Sequence, residues 1–175
     1  MLNNYLFDII RLTISGLLVV LAAFYIGRPY LDRYEKKQLI GLKQTFTKET
    51  LPLRLQAYER LVLLIDRINP SSILVRLNNP DFSAGELHYL VIAEIRNEFQ
   101  HNITQQLYVS NTAWEITKRV KNDTLMLMNG AIKVLPVDAS GLEFCRLVLE
   151  QINSMENSPY DAAAILIREE AQQLF

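Results

Sequence analysis

The sequence predicts an all-α protein, one N-terminal transmembrane helix followed by a helical bundle, and three observations carry that prediction. Residues Leu12 to Ile26 form an uncharged, largely apolar run. Beyond Leu51 the apolar residues recur at the three- and four-residue spacing of a helix, and none alternates with the period of a strand. Ser or Thr followed three residues later by Glu recurs through the second half, a pattern that satisfies the free N–H groups at a helix start. The chain divides on this reading into an anchor (1–27), a basic juxtamembrane helical stalk (28–50) and a soluble helical bundle (51–175). With about thirty residues given to the anchor, the rest suffices for one core but not two.

Extending the apolar run back to Tyr5 supplies the roughly twenty residues that cross a bilayer. The extension includes Asp8 and Arg11, three apart and so on one side of a helix, where they neutralise each other or reach the headgroups. Ionisable residues deep in a span mark function, but this pair lies at its end. Arg28, Arg33, Lys36 and Lys37 flank the other end, whereas the N-terminal side offers only Arg11 and the terminal amine. The positive-inside bias therefore makes the protein single-pass with its C-terminal domain in the cytoplasm. Tyr25 and Tyr30 fall at headgroup level. The rival reading is a cleaved signal peptide, against which no short basic region precedes the run and no small-x-small pattern follows it.

Half of the residues are hydrophobic and 21% are charged, with a formal net charge of −1. That balance hides a separation. Arg28 to Arg60 carries eight Lys/Arg against four Asp/Glu, and Leu61 to Phe175 carries nine against fourteen. The basic stalk suits anionic lipid headgroups, and the acidic domain argues against nucleic-acid binding. A single cysteine, Cys145, excludes an internal disulfide and a multi-cysteine metal site.

Element by element, Pro29 marks the exit from the bilayer, and Leu31 to Ile40 reads as a charged amphipathic stalk. Thr50-Leu51-Pro52 starts a new helix, since proline fits a first turn, and Ala57, Tyr58, Leu61, Leu64, Ile65 and Ile68 give it an apolar stripe. Asn69-Pro70 ends it, and Ser71 to Leu77 is a short helix closed by Asn78-Asn79-Pro80. Ser83-Ala-Gly-Glu86 opens a helix to about Leu107. Thr112-Ala-Trp-Glu115 opens the next, running to Pro136, with Asn129-Gly130 inside it. Ser140-Gly-Leu-Glu143 opens a third and Ser158-Pro159 the last. No internal repeat, low-complexity tract or flexible linker is evident.

The chemistry-bearing candidate is Glu98-Phe-Gln-His101, the Glu-x-x-His spacing of bundle di-iron sites. Those sites need two such motifs. The only other histidine, His88, lies about 140° away around the same helix, so no metal site is expected. Glu94, Glu98, His101 and Gln105 form one stripe, with Ile92, Ile95, Phe99 and Ile103 nearly opposite. The stripe reads first as a solvated face and second as a contact surface, with Glu98, His101, Gln105 and Tyr108 as the contact residues. His88 falls on the apolar face as a satisfied core or interface residue, and Trp114 with Tyr108 plugs a helix junction. No phosphate loop, dinucleotide fingerprint, nucleophile elbow or Cys-His pair occurs, so no catalytic residue and no cofactor is assigned. The Asn102-Ile-Thr104 sequon would not meet the glycosylating enzyme on the cytoplasmic side.

The segment Glu98-Phe-Gln-His-Asn-Ile-Thr-Gln-Gln-Leu-Tyr-Val-Ser110, followed by Trp114, resembles uncharacterised single-pass membrane proteins of Bacteroidota. The similarity continues more weakly through Leu51 to Leu77 and includes the anchor. The resemblance implies an inner-membrane setting and carries no activity. The expectation is a non-enzymatic, membrane-tethered interaction or scaffold subunit of a larger inner-membrane complex. Its partners would be membrane lipids and another membrane or cytoplasmic protein, or a second copy of itself. The alternative is a small-ligand or metal-binding membrane-associated enzyme or sensor using the Glu98/His101 face.

Overall fold

The computed structural model describes residues 2–174, with side-chain surroundings given for 7, 9, 11–26, 28 and 48–174. Among the described residues every element is helical: α1 (Leu2–Ile68), α2 (Pro70–Leu77), α3 (Ala84–His101), a 3₁₀ turn (Ile103–Leu107), α4 (Asn111–Val134), α5 (Gly141–Asn153) and α6 (Pro159–Gln172). Two compact units share this chain, Met1–Thr50 and Leu51–Phe175.

In the first unit, the described apolar side chains are exposed around the whole helix, among them Leu12, Leu17, Val20, Phe24 and Ile26. The hydroxyls in this run turn back on their own backbone, Thr13 donating to the Ile9 carbonyl at 3.0 Å and Ser15 to that of Arg11 at 2.6 Å. Arg28 lies over the Phe24 ring, 4.8 Å from its centroid. Among the described residues no helix is long and apolar enough to cross a membrane. The extension to Tyr5 with Asp8, and Tyr30, Arg33, Lys36 and Lys37, lie outside the residues whose side chains are described.

The second unit is a helical bundle. The stripe predicted on α1 is its floor: Leu61, Leu64, Ile65 and Ile68 are buried, and Ile73 and Leu74 of α2, Leu87, Val91 and Ile95 of α3, Met128 of α4, Phe144 of α5 and Ile167 of α6 close over it. Leu, Ile and Phe at helical spacing supply the apolar area that drives such packing, about 1.5–3 kcal/mol for each side chain fully buried. Two starts match the predicted capping boxes. Ser83 accepts from the Glu86 N–H while Glu86 accepts from the Ser83 N–H, and Ser140 and Glu143 repeat the exchange. Asn69 caps α2 and Ser158 caps α6.

Four expectations change. Helical backbone runs through Pro52 instead of restarting there; the missing N–H leaves one carbonyl, that of Lys48, without its helical donor, and Lys48 is exposed to solvent. The start of α4 is capped by Ser110, which accepts from Ala113 N–H at 3.0 Å, while Glu115 pairs with Lys118 at 2.7 Å instead of closing a box with Thr112. Helix α3 stops at His101, because the Asn102 amide donates to the Glu98 carbonyl at 2.9 Å and its N–H bonds to Phe99 at 3.1 Å, tightening the chain into the 3₁₀ turn.

The fourth is an internal repeat. Asp81-x-Ser83-x-x-Glu86-x-x-x-Leu90-Val91 and Asp138-x-Ser140-x-x-Glu143-x-x-x-Leu147-Val148 have the same pattern. The structure sets these two helix starts side by side. Ser83 and Ser140 pair as an isolated antiparallel bridge, with Ala84 N–H donating to Ala139 O at 2.9 Å and Gly141 N–H to Phe82 O at 2.8 Å. The matching core positions Leu87 and Phe144, and Val91 and Val148, are all fully buried. Two helix–turn–helix units, α2–α3 and α4–α5, are thus stitched together through their turns.

Candidate functional site

Helix α3 brings Glu98 and Glu94 of its polar stripe against α1 and α2, while His101 stays exposed. Arg67 Nη1 of α1 donates to Glu98 Oε1 at 2.8 Å, with the Glu98 side chain only 9% exposed and that of Arg67 57%. One turn earlier, Arg76 of α2 pairs with Glu94 at 3.0 Å. The glutamate part of the predicted solvated face is therefore an interhelical ion-pair ladder, at which Glu98 is a buried strut. Three- and four-residue spacing placed the carboxylates together correctly, but nothing in their own helix showed which side the arginines would occupy.

At the end of α3 the ladder opens into a cleft of about 360 Å³, lined by Arg60, Leu63, Leu64 and Arg67 of α1 and by Glu98, His101 and Asn102. Glu98 and His101 are thus brought together as predicted. Gln105 and Tyr108 are not. The 3₁₀ turn replaces the 3.6-residue period, and they fall outside the cleft lining. The Gln105 amide lies 3.5 Å from Thr104 Oγ1, and the Tyr108 carbonyl accepts from Arg54 Nε at 3.3 Å. Arg60 and Arg67 were not singled out from the sequence. Their signal is the seven-residue interval that keeps both on one edge of the α1 stripe.

Other polar side chains in the bundle hold it together. Ser110 ties three helices: its hydroxyl donates to Glu170 of α6, and its N–H donates at 3.1 Å to the Tyr58 hydroxyl of α1, which itself donates to Glu170 at 3.3 Å. Buried Thr124 meets the Tyr160 hydroxyl at 2.9 Å. His88 Nε2 lies 3.0 Å from Asn129 Oδ1 and its ring meets Phe144 edge-on, as expected of a satisfied histidine. Trp114 is buried and stacks on Phe99, while Tyr108 is exposed and does not share in that plug. Burial pushes the Cys145 thiol upward, away from the thiolate that redox or nucleophilic chemistry needs. Among the described residues no three His, Cys, Asp or Glu side chains are grouped to hold a metal.

Residues 4–174 match the model of a family of unknown function, DUF7935. The chain belongs to this family. No curated protein and no solved structure matches it. The family match runs from the apolar segment of α1 through α6. What distinguishes the bundle chemically is the cleft at the end of α3, where two arginines, a histidine and an amide surround a single carboxylate already paired.

Proposed function

We propose that this DUF7935 chain is a non-enzymatic helical docking or scaffold module, held to an inner membrane by the segment around Leu12 to Ile26 with its bundle on the cytoplasmic side. The observation that carries this reading is the first unit's surface. Leu12 is 76% exposed, Leu17 65% and Leu18 60%, on three different sides of one helix. A helix apolar all round needs an apolar environment, and the self-bonded Thr13 and Ser15 hydroxyls suit one. The resemblance to single-pass proteins of Bacteroidota and the flanking Arg28, Arg33, Lys36 and Lys37 support the same setting and orientation. Docking falls to the exposed His101 and Tyr108, with Glu98 positioning Arg67 and Gln105 half-buried in the 3₁₀ turn that follows α3.

A reporter fused after Phe175 tests the orientation. Activity of a cytoplasm-dependent reporter is expected, and activity of a periplasm-dependent one would overturn the topology. Docking is tested by a photo-crosslinking residue at Tyr108 in native membranes, which should yield one discrete adduct, either a second copy or another protein. No adduct at Tyr108 or at His101 would remove the docking assignment.

A further inference from the structure

We infer that the cleft between α1 and the end of α3 is a binding site for a phosphate-bearing anion, with Arg60 as its primary ligand. Beyond docking, this assigns the bundle a small-molecule or headgroup specificity. Three observations converge. The cleft, about 360 Å³, has the size of a small-ligand pocket. Its one carboxylate, Glu98, is held by Arg67 Nη1 at 2.8 Å, so Arg67 is fixed while its remaining N–H groups stay available. Arg60 has no hydrogen-bond or ion-pair partner among the described residues.

The charge balance is local and runs against the rest of the bundle. Leu51 to Phe175 carries fifteen acidic side chains against eleven basic ones, yet this cleft presents two guanidinium groups and an imidazole beside one ion-paired carboxylate. Guanidinium forks match the geometry of phosphate oxygens, and two of them on one anion give charge-assisted bonds stronger than neutral pairs. Asn102 spends its amide N–H on the Glu98 carbonyl, which leaves its side-chain oxygen to accept from a ligand hydroxyl. Leu63 and Leu64 provide an apolar floor. The chemistry fits a soluble phosphate monoester and a phospholipid headgroup alike.

The test uses the full chain in phosphatidylcholine nanodiscs, titrated calorimetrically with inorganic pyrophosphate at constant ionic strength. Saturable binding is expected for the natural chain and for Lys133→Gln, an exposed charge outside the cleft, with at least a tenfold loss in Arg60→Gln. Arg60 has no partner to lose among the described residues, so this variant should keep its melting temperature. Repeating the titration in nanodiscs containing phosphatidic acid separates the sources. Loss of pyrophosphate binding there assigns the site to a headgroup, and retention assigns it to a soluble anion. No saturable binding of pyrophosphate at millimolar concentration, or equal affinity in Arg60→Gln, overturns the proposal.

Discussion

Replacing Arg67 with alanine strips the cation from Glu98 and leaves the carboxylate in a site that exposes only 9% of its side chain. At 2.8 Å the attraction is roughly 6 kcal/mol at an effective dielectric constant of about 20. Desolvation of the carboxylate and water around the half-exposed guanidinium offset most of that, so the net contribution of the intact pair is about 1 kcal/mol. The two single substitutions are nevertheless unequal. Arg67→Ala strands a buried charge and should cost about 2–3 kcal/mol, below the 3–5 of a fully buried pair because Arg67 is 57% exposed. Glu98→Gln keeps the shape and a hydrogen bond and returns the arginine to water at about 0.5–1 kcal/mol.

The readout is urea unfolding followed by Trp114, the chain's one tryptophan, which is buried and stacked on Phe99. At a slope of roughly 2 kcal/mol per molar urea, Arg67→Ala should lower the midpoint by about 1 M. The double variant should recover part of that loss, since no charge is then left unpaired. Equal small effects of both single substitutions, or a larger effect of Glu98→Gln, would refute the assignment of Glu98 as a buried strut.

Three further outcomes follow from the turns and the core. A Cβ at Gly141 would lie 2.9 Å from the Phe82 backbone oxygen, whereas one at Gly85 meets nothing within 4 Å, so thermal melts should show Gly141→Ala destabilised by about 1–3 kcal/mol and Gly85→Ala unchanged or slightly more stable. Backbone and hydroxyl bonds from Ser83 and Ser140 hold the Glu86 and Glu143 carboxyls below their ordinary range. Their support is complete above the ordinary carboxylate pKa and is lost as pH falls through the lowered folded-state values. Acid unfolding should therefore begin at higher pH in the double variant Ser83→Ala, Ser140→Ala. Burial, opposed by the Thr124 bond and assisted by Asp123, raises the Tyr160 phenol. Its contribution is complete below the ordinary phenol pKa and disappears as pH rises through the raised one. An ultraviolet titration should show one late-ionising tyrosine that Tyr160→Phe removes.

Helix starts were the most legible feature of the sequence. A capping box is a local exchange between residues three apart, so Ser83/Glu86 and Ser140/Glu143 could be located without tertiary knowledge. The start at Ser110 was misplaced by two residues because Thr112 offers the same local pattern. The choice between them rests on Tyr58 and Glu170, more than fifty positions away. The stripe on α3 is legible as a stripe, but the pairing of Glu98 and Glu94 is not, for a similar reason, their partners being Arg67 and Arg76 on other helices. The repeat around Asp81 and Asp138 stood in the sequence throughout. Its meaning lies in the bridge between Ser83 and Ser140, a contact between residues 57 positions apart that no local pattern shows.

The proposed membrane tether is tested most directly by alkaline extraction of membranes from cells making the full chain, compared with the double variant Leu17→Arg, Val20→Arg. Both positions are exposed on the apolar helix and contribute nothing to the bundle's core. The account predicts that the natural chain stays with the lipid pellet and the charged variant moves to the supernatant with its Trp114 fluorescence unchanged. Release of the natural chain into the alkaline supernatant would contradict it.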